Sequence, residues 1–302
     1  MKKLYVAILS AALLTIPLSA EDTQPRLLLD EKLSAWEVFI GVPHQSVTVP
    51  GIPASTSKDG QTGTPVGLSD PLSVFTVLME EGKPVLRVSG QIYGGLTSRD
   101  EFENFHFSCQ FKWGEKKWEP RLSAKRDSGI LYYCSGKHGA FWNVWMRSLE
   151  CQVQEGDTGD FIGLAGAIAS VQAKTIEEGK NPLFDPTAPL YSATNYVAHS
   201  PSEEKPNGEW NTLEIYALGD TTVHVVNGTP NMVLFETGQR SGDEKGFVPL
   251  KRGKIQVQSE AAEIFYRDIK IETISAFPEF LRELTKRPAE PPVPYKRLLP
   301  SE

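Results

Sequence analysis

Between Arg126 and Asp160 the chain gathers many of the side chains able to move a proton or hold a polar ligand: His138, Arg147, Glu150, Gln152, Asp157 and Asp160. In residues 149–155 polar and apolar types alternate. A strand there would put Glu150, Gln152 and Gln154 on one face and pack Leu149, Cys151 and Val153 on the other. A carboxylate on such a face loses part of its water, so Glu150 is expected to titrate near neutral pH and serve as a general base. The alternative is a structural ion pair with Arg147 or Arg126. Gln152 can orient a hydroxyl or a carbonyl but exchanges no proton. His138, in Gly136-Lys137-His138-Gly139, comes just before Phe141-Trp142-Asn143-Val144-Trp145. An imidazole poised at neutral pH next to aromatic faces that can stack on sugar rings suits a carbohydrate site, unless Trp142 and Trp145 are core packing. Asp157 and Asp160 bracket Thr158-Gly159. They could offer oxygens to Ca²⁺, but the turn lacks the alternating ligands of an EF-hand, so turn capping is the favoured role and no cofactor is expected. Tyr93, Lys112, Arg126, Lys117 and Trp118 are further candidate substrate contacts by residue type.

The elements that must position these groups read as strands. Phe105, Phe107, Cys109, Phe111 and Trp113 alternate with His106, Ser108, Gln110 and Lys112, a half-buried antiparallel pattern that sets Lys112 on a polar face with His106. Similar runs recur at 85–88, 130–134, 162–172, 212–217, 222–226, 253–258 and 263–271, separated by turn signals such as Glu81-Gly82 and Asn227-Gly228. Arg267 falls in phase with Phe265, Ile269 and Ile271 and is expected at an ion pair or a groove rim. Helical periodicity is confined to residues 278–286. Many strands without βαβ alternation predict an all-β sandwich or jelly roll. Residues 41–72 and 174–206, rich in Pro and Gly or in Pro alone, are expected to be irregular stretches that wall a groove or else cover sheet edges. The Pro-rich tail, 287–302, is expected to be extended and poorly packed.

The chain has 302 residues, 40% hydrophobic and 23% charged, with a formal net charge of -7. That composition is globular, and the charge argues against nucleic acid or an anionic membrane surface as partner. Lys2 and Lys3, the apolar stretch to Leu18 and the small pair Ser19-Ala20 read as a secretory signal, which places the protein in the periplasm or outside the cell. No other stretch approaches the ~20 apolar residues of a membrane span. Cys109, Cys134 and Cys151 allow at most one disulfide, and their strand-like surroundings favour buried small hydrophobes. Three regions result: a signal over 1–20, one domain over 21–275, and a short helical segment with a Pro-rich tail over 276–302.

Several motifs in order resemble one family. They are Leu33-Ser34-Ala35-Trp36, Gly94-Gly95-Leu96-Thr97-Ser98, Asp127-Ser128-Gly129-Ile130, Glu150-x-Gln152, Gly156-Asp157-Thr158-Gly159-Asp160, Gly208-Glu209-Trp210-Asn211, Val226-Asn227-Gly228, Ile255-Gln256-Val257-Gln258 and Phe265-Tyr266-Arg267-Asp268-Ile269. Together they resemble the domain of unknown function 1080, since named the 3-keto-disaccharide hydrolase domain, over residues 27 to 275. Asp127 stands where the family usually has Asn, and Ser98, Tyr266 and Asp268 are further departures. The resemblance implies a concanavalin A-like jelly-roll sandwich of two curved antiparallel sheets with a groove on the concave one.

The resemblance also implies action on sugars carrying a ketone at the third carbon, where the acidified proton on the second carbon permits β-elimination of the anomeric substituent followed by hydration. Such chemistry needs a base, a polariser of the ketone oxygen and an acid for the leaving group. Glu150 or His138 would be the base, Arg147 or Lys112 the polariser and Asp157 the acid. Gln152, Trp142, Trp145, Tyr93 and Arg126 would contact an oligosaccharide or glycoside substrate. An ordinary retaining glycosidase is disfavoured, because Glu150-Cys151-Gln152-Val153-Gln154-Glu155 lacks the middle Asp of the Glu-x-Asp-x-x-Glu strand found in laminarinase-like members of this fold. The competing reading is a non-catalytic carbohydrate-binding module.

Overall fold

The computed structural model describes residues 24–174, 181–240 and 247–294. The expected signal, residues 1–20, lies outside them. The alternation over 105–113 becomes the strand Phe105–Lys117, with Phe105, Phe107, Cys109, Phe111 and Trp113 buried on its inner side. This strand lies inside a 13-stranded sheet, here the large sheet, flanked by Asn211–Leu218 and Ala262–Thr273. A 7-stranded sheet, the small sheet, runs in the order Tyr196–Val197, Phe161–Leu164, Arg147–Gln154, Asp127–Ser135, Lys254–Ser259, Gly94–Ser98, Trp36–Ile40. Neighbours pair antiparallel, apart from Leu190–Thr194 beside Val293–Pro294 at one end of the large sheet.

The sheets pack face to face. Trp36, Leu96, Ile130, Leu149, Cys151, Val153 and Val257 of the small sheet share one apolar cluster with Phe107, Phe111, Leu213, Ile215 and Ile264 of the large one. Polar links cross that core, among them Ser128 Oγ to Tyr266 Oη at 2.8 Å, and Tyr132 Oη to Thr222 Oγ1 at 2.8 Å and His224 Nε2 at 2.9 Å. All three cysteines are buried and unbridged. The protein is thus an all-β sandwich of two antiparallel sheets. The Asn227-Gly228 hairpin shows how local sequence sets register: both residues have positive φ, 50° and 84°, as a type I′ turn requires.

Two sequence expectations change. Within residues 174–206 lie the short strands Leu183–Phe184, Leu190–Thr194 and Tyr196–Val197. They sit at or near sheet margins, where proline is tolerated because one side of the ladder needs no donor. The predicted helical segment contains a single 3₁₀ turn, Glu279–Leu281, and no α-helix occurs among the described residues. The segment before the Pro-rich tail packs on the sandwich: Leu281 is fully buried, and Phe277 and Leu284 join it against Tyr216, Val223, Val225 and Phe235 on the outer side of the large sheet, while residues 287–292 of the tail are mostly exposed and 295–302 lie outside the described residues. No helix of the described residues is long and apolar enough to cross a membrane.

Candidate functional site

Because the small sheet packs one side on the core, the alternate residues form its outer side, and strand pairing aligns them in rows. One row carries Glu37, Thr97, Gln256, Leu131, Glu150 and Ile162. The next carries Phe39, Gly95, Gln258, Gly129 and Gln152. A third brings Glu260 beside Asp127 and Asp127 beside Gln154. Gly129 is the open position in the middle. A Cβ there would collide with Glu150 Oε1 and Gln258 Oε1, so both side chains lean over it. At ~3.3 Å of strand per residue, Asp127 begins about 6.6 Å further along.

Asp127, Glu150 and Glu260 are each at least 95% removed from solvent, and Asp127 and Glu260 share one cation, Arg121. Arg121 Nη2 pairs with Asp127 Oδ2, and Arg121 Nη1 lies 3.2 Å from Glu260 Oε1. Gln154 Nε2 also donates to Asp127 Oδ2. Burial pushes the Glu150 carboxyl well above its usual range, the charges of Glu260 and Asp127 push it further, and the Gln258 amide opposes them. Burial and Asp127 raise Glu260, against the pull of Arg121. Burial also raises Asp127, while Arg121, Gln154 and the Ser128 backbone N–H hold it down. Ionising all three would leave two uncompensated charges in a desolvated site. The cluster therefore holds protons at neutral pH. Asp127, with the most donors, is the member best able to ionise, and Glu150 is the one kept neutral.

Three polar atoms of this patch, Arg121 Nε, Asp127 Oδ1 and Gln258 Oε1, are buried without a hydrogen-bond partner. Native interiors rarely leave such atoms unmatched, so together they mark a place for a polar ligand. The patch is roofed by Tyr93, Trp145, Met146 and Val144, which cluster with Leu131, and by the partly buried Trp118 and Phe141. Trp145 stacks on Tyr93 at 5.7 Å and donates from Nε1 to Gly94 O at 3.0 Å. Burial and the Glu260 charge keep the Tyr93 hydroxyl protonated. Tyr93 is thus a neutral donor above the acids.

The structure separates residues that the sequence had grouped. Arg147, three positions from Glu150 on a strand of period two, falls on the opposite face, and its guanidinium is taken by Ala165 O at 2.9 Å and Gln239 Oε1 at 3.0 Å. It does not polarise a ketone beside Glu150. Lys112 lies on the outer side of the other sheet, across the sandwich, with its ammonium over the Trp210 ring. Arg126 pairs with Glu155 Oε1 at 3.0 Å rather than with Glu150. His138 stacks on Phe39 and meets Glu37 Oε1 at 3.3 Å. Glu37 shares the row of Glu150 but stands four strands away, about 19 Å at ~4.8 Å per strand, so His138 cannot share its proton. Asp157 pairs with Lys125 at the rim, and Asp160 takes His199 Nδ1 at 2.6 Å, so the two carboxylates are committed to different partners. Trp145 is 1% exposed and serves packing, whereas Trp142 is 38% exposed and stacks on Phe141. Gln152 is buried, its Oε1 accepting the Val153 backbone N–H at 2.9 Å.

Arg121, Glu260 and the proton chemistry of Asp127 were not singled out from sequence. The alternation Gln256, Gln258, Glu260 continues the polar face and carried the signal for Glu260, whereas Arg121 comes from a loop with no periodicity. His199 was likewise passed over. Its ring is 4% exposed and its Nε2 is unpartnered, and Asp160 also accepts from Tyr196 Oη at 3.3 Å. Only the pairing of Tyr196–Val197 with Phe161–Leu164 brings that dyad to the margin of the acid patch.

Residues 25–272 match the 3-keto-alpha-glucoside-1,2-lyase-like domain. The chain belongs to that family. No curated protein matches it significantly. Among solved structures it is similar to a candidate glycosyl hydrolase from Parabacteroides distasonis ATCC 8503, at 18% identity and TM-score 0.39, covering 68% of this chain and 93% of the other. It is also similar to a carbohydrate binding module from Bacillus subtilis, at 9% identity and TM-score 0.39, covering 66% and 92%. A third is a Bacillus subtilis protein with a galectin-like fold, at 10% identity and TM-score 0.36, covering 66% and 87%. Within the residues matched to the 3-keto-alpha-glucoside-1,2-lyase-like family lie Asp127, Gly129, Glu150, Gln152 and Gln258.

Proposed function

We propose that the protein is an exported enzyme that cleaves glycosides bearing a ketone at the third carbon, by elimination across the first and second carbons followed by hydration. The observation that carries this reading is the acid patch: three buried carboxyls, one guanidinium and three unpartnered polar atoms around Gly129. Environments that push neighbouring carboxyls apart assign the acid and the base. Ionised Asp127 takes the proton from the second carbon. The electron pair left behind forms the double bond between the first and second carbons as the anomeric C–O bond breaks. Neutral Glu150 gives its proton to the departing oxygen, so it works as the acid and not as the base expected from its strand position. Tyr93 offers an uncharged donor to the ketone oxygen, and Gln258 Oε1 an acceptor for a sugar hydroxyl. Adding water across the double bond then yields the free keto-sugar.

Export rests on Lys2, Lys3 and the apolar stretch after them, and N-terminal sequencing of the mature protein tests it. The activity is tested by incubation with a 3-keto-disaccharide and, separately, with its unoxidised parent. Cleavage of the first alone is expected. Binding of either sugar without cleavage would replace the enzyme by a carbohydrate-binding module.

A further inference from the structure

The cations on the outer side of the large sheet are unevenly paired. Arg87 is tied to Glu263 at 2.7 Å, and His106 is held between Glu214 and Glu272 at 2.9 and 2.8 Å. Lys112 has no ion pair among the described residues. Its Nζ stands 4.7 Å from the Trp210 ring centroid and 5.6 Å from that of Phe265. The Arg267 guanidinium lies 4.0 Å from the same Trp210 ring and donates from Nε to Gln110 at 2.7 Å, while its nearest carboxylate, Asp268, is 3.9 Å away. Two cations therefore gather at one indole ring in a chain of net charge -7, and both remain partly exposed. Cavities flank them: one of about 260 Å³ lined by Ser108, Gln110, Thr212 and Lys270 together with Glu214, Asp268 and Glu272, and one of about 460 Å³ lined by Arg267, Lys83 and Val85 together with Glu80, Glu81 and Asp268, so an anion is favoured only at Lys112 and Arg267 and the carboxylates are left to accept from neutral hydroxyls.

We infer that this face is a second glycan site, selective for sugars that carry an acidic substituent, a uronate carboxylate or a sulfate ester. Lys112 and Arg267 would hold the anion and the Trp210 indole would support the ring beside it. The hydroxyls of Ser108 and Thr212 and the Gln110 amide would meet sugar hydroxyls in the neighbouring cavity. The two sheets pack ~10 Å apart, so the site is remote from the acid patch and binds independently of turnover. It goes beyond the proposed reaction, because it concerns retention on a polymer and not bond cleavage.

The test is affinity electrophoresis and calorimetry with polygalacturonate, dextran sulfate, neutral dextran and polyglutamate. The intact protein, Lys112→Ala/Arg267→Ala and Glu150→Gln are compared at low and high salt. Binding to one or both acidic polysaccharides is expected, with at least tenfold loss in the double variant, weakening by salt and none in Glu150→Gln. The uronate and sulfate polymers show which anion is preferred. Three results would each overturn the site: no binding to either acidic polysaccharide, equal binding by the double variant, or polyglutamate binding as tight as that of the glycans. Both substituted side chains are partly exposed, so an unchanged melting temperature confirms that any loss comes from the surface.

Discussion

The outer faces of the two sheets are made by the same two-residue alternation, yet they treat ionisable groups in opposite ways. On the large sheet His106 is gripped from both sides by Glu214 and Glu272 and stacked on Tyr216 at 4.1 Å, so both ring nitrogens are used and solvent still reaches the trio. On the small sheet Asp127, Glu150 and Glu260 are nearly dry, Arg121 serves only the first and last of them, and polar atoms are left unmatched. The saturated trio stabilises a sheet. The unsaturated one is costly to fold and becomes satisfied only by a ligand, which is why it reads as the working site.

Three substitutions probe that contrast at fixed pH. Glu150→Gln keeps the shape of the side chain and removes its proton, so keto-glycoside turnover falls by ~10²–10⁴-fold, the usual range for lost acid–base catalysis. His106→Gln on the other face leaves steady-state turnover within about twofold, as a surface change away from the chemistry should. A large loss in the second variant would erase the distinction between the faces. Next, Gly129→Ala drives a methyl group into Glu150 and Gln258 and should cost roughly 1–3 kcal/mol in denaturant unfolding, as overpacking does, together with activity.

The pH dependence of stability separates the faces further. The Glu260 carboxyl is raised by burial and by Asp127, so the folded state binds its proton more tightly than the unfolded chain. Its contribution is complete below the ordinary Glu value, ~4.3, and is lost as pH rises through the folded value. Glu260→Gln should therefore match the parent near pH 4 and unfold at higher temperature than the parent near pH 8. For His106 burial lowers the affinity for the proton, but the hydrogen bonds and charges of Glu214 and Glu272 outweigh it and raise it overall. That support is complete below the ordinary His value, ~6.5, and fades above the raised one. His106→Ala should cost up to about 1 kcal/mol near pH 6, discounted for exposure, and less near pH 9. Thermal melts near pH 4 and pH 8 read the first difference, and denaturant titrations near pH 6 and pH 9 read the second.

Much of this was legible in sequence where the signal is periodic. The strand Phe105–Lys117 and the face shared by Glu150 and Gln152 follow from alternation alone. The same rule places Arg147 on the opposite side, since an odd separation along a strand reverses direction, so the earlier grouping rested on nearness in sequence rather than on geometry. Lys112 shows a different limit: period two gives its face within one strand but not which sheet that strand joins. Arg121 and His199 reach the small sheet's margin through tertiary pairing of segments that have no pattern of their own. The proton balance of the acid patch was hidden for a related reason, because it depends on how many carboxyls share one guanidinium.

The family match ends at residue 272, but the segment beyond it is part of the sandwich. Leu281 and its neighbours cover Tyr216, Val223, Val225 and Phe235, and Val293–Pro294 caps the ladder beside Leu190–Thr194. A chain cut at that boundary would bare a contiguous apolar patch and an open ladder of backbone donors and acceptors, the two features by which β-proteins stick to their own copies. The segment from Phe277 to Pro294 covers both features in the intact chain. A shortened protein should elute as large assemblies in size-exclusion chromatography even where its catalytic face is intact.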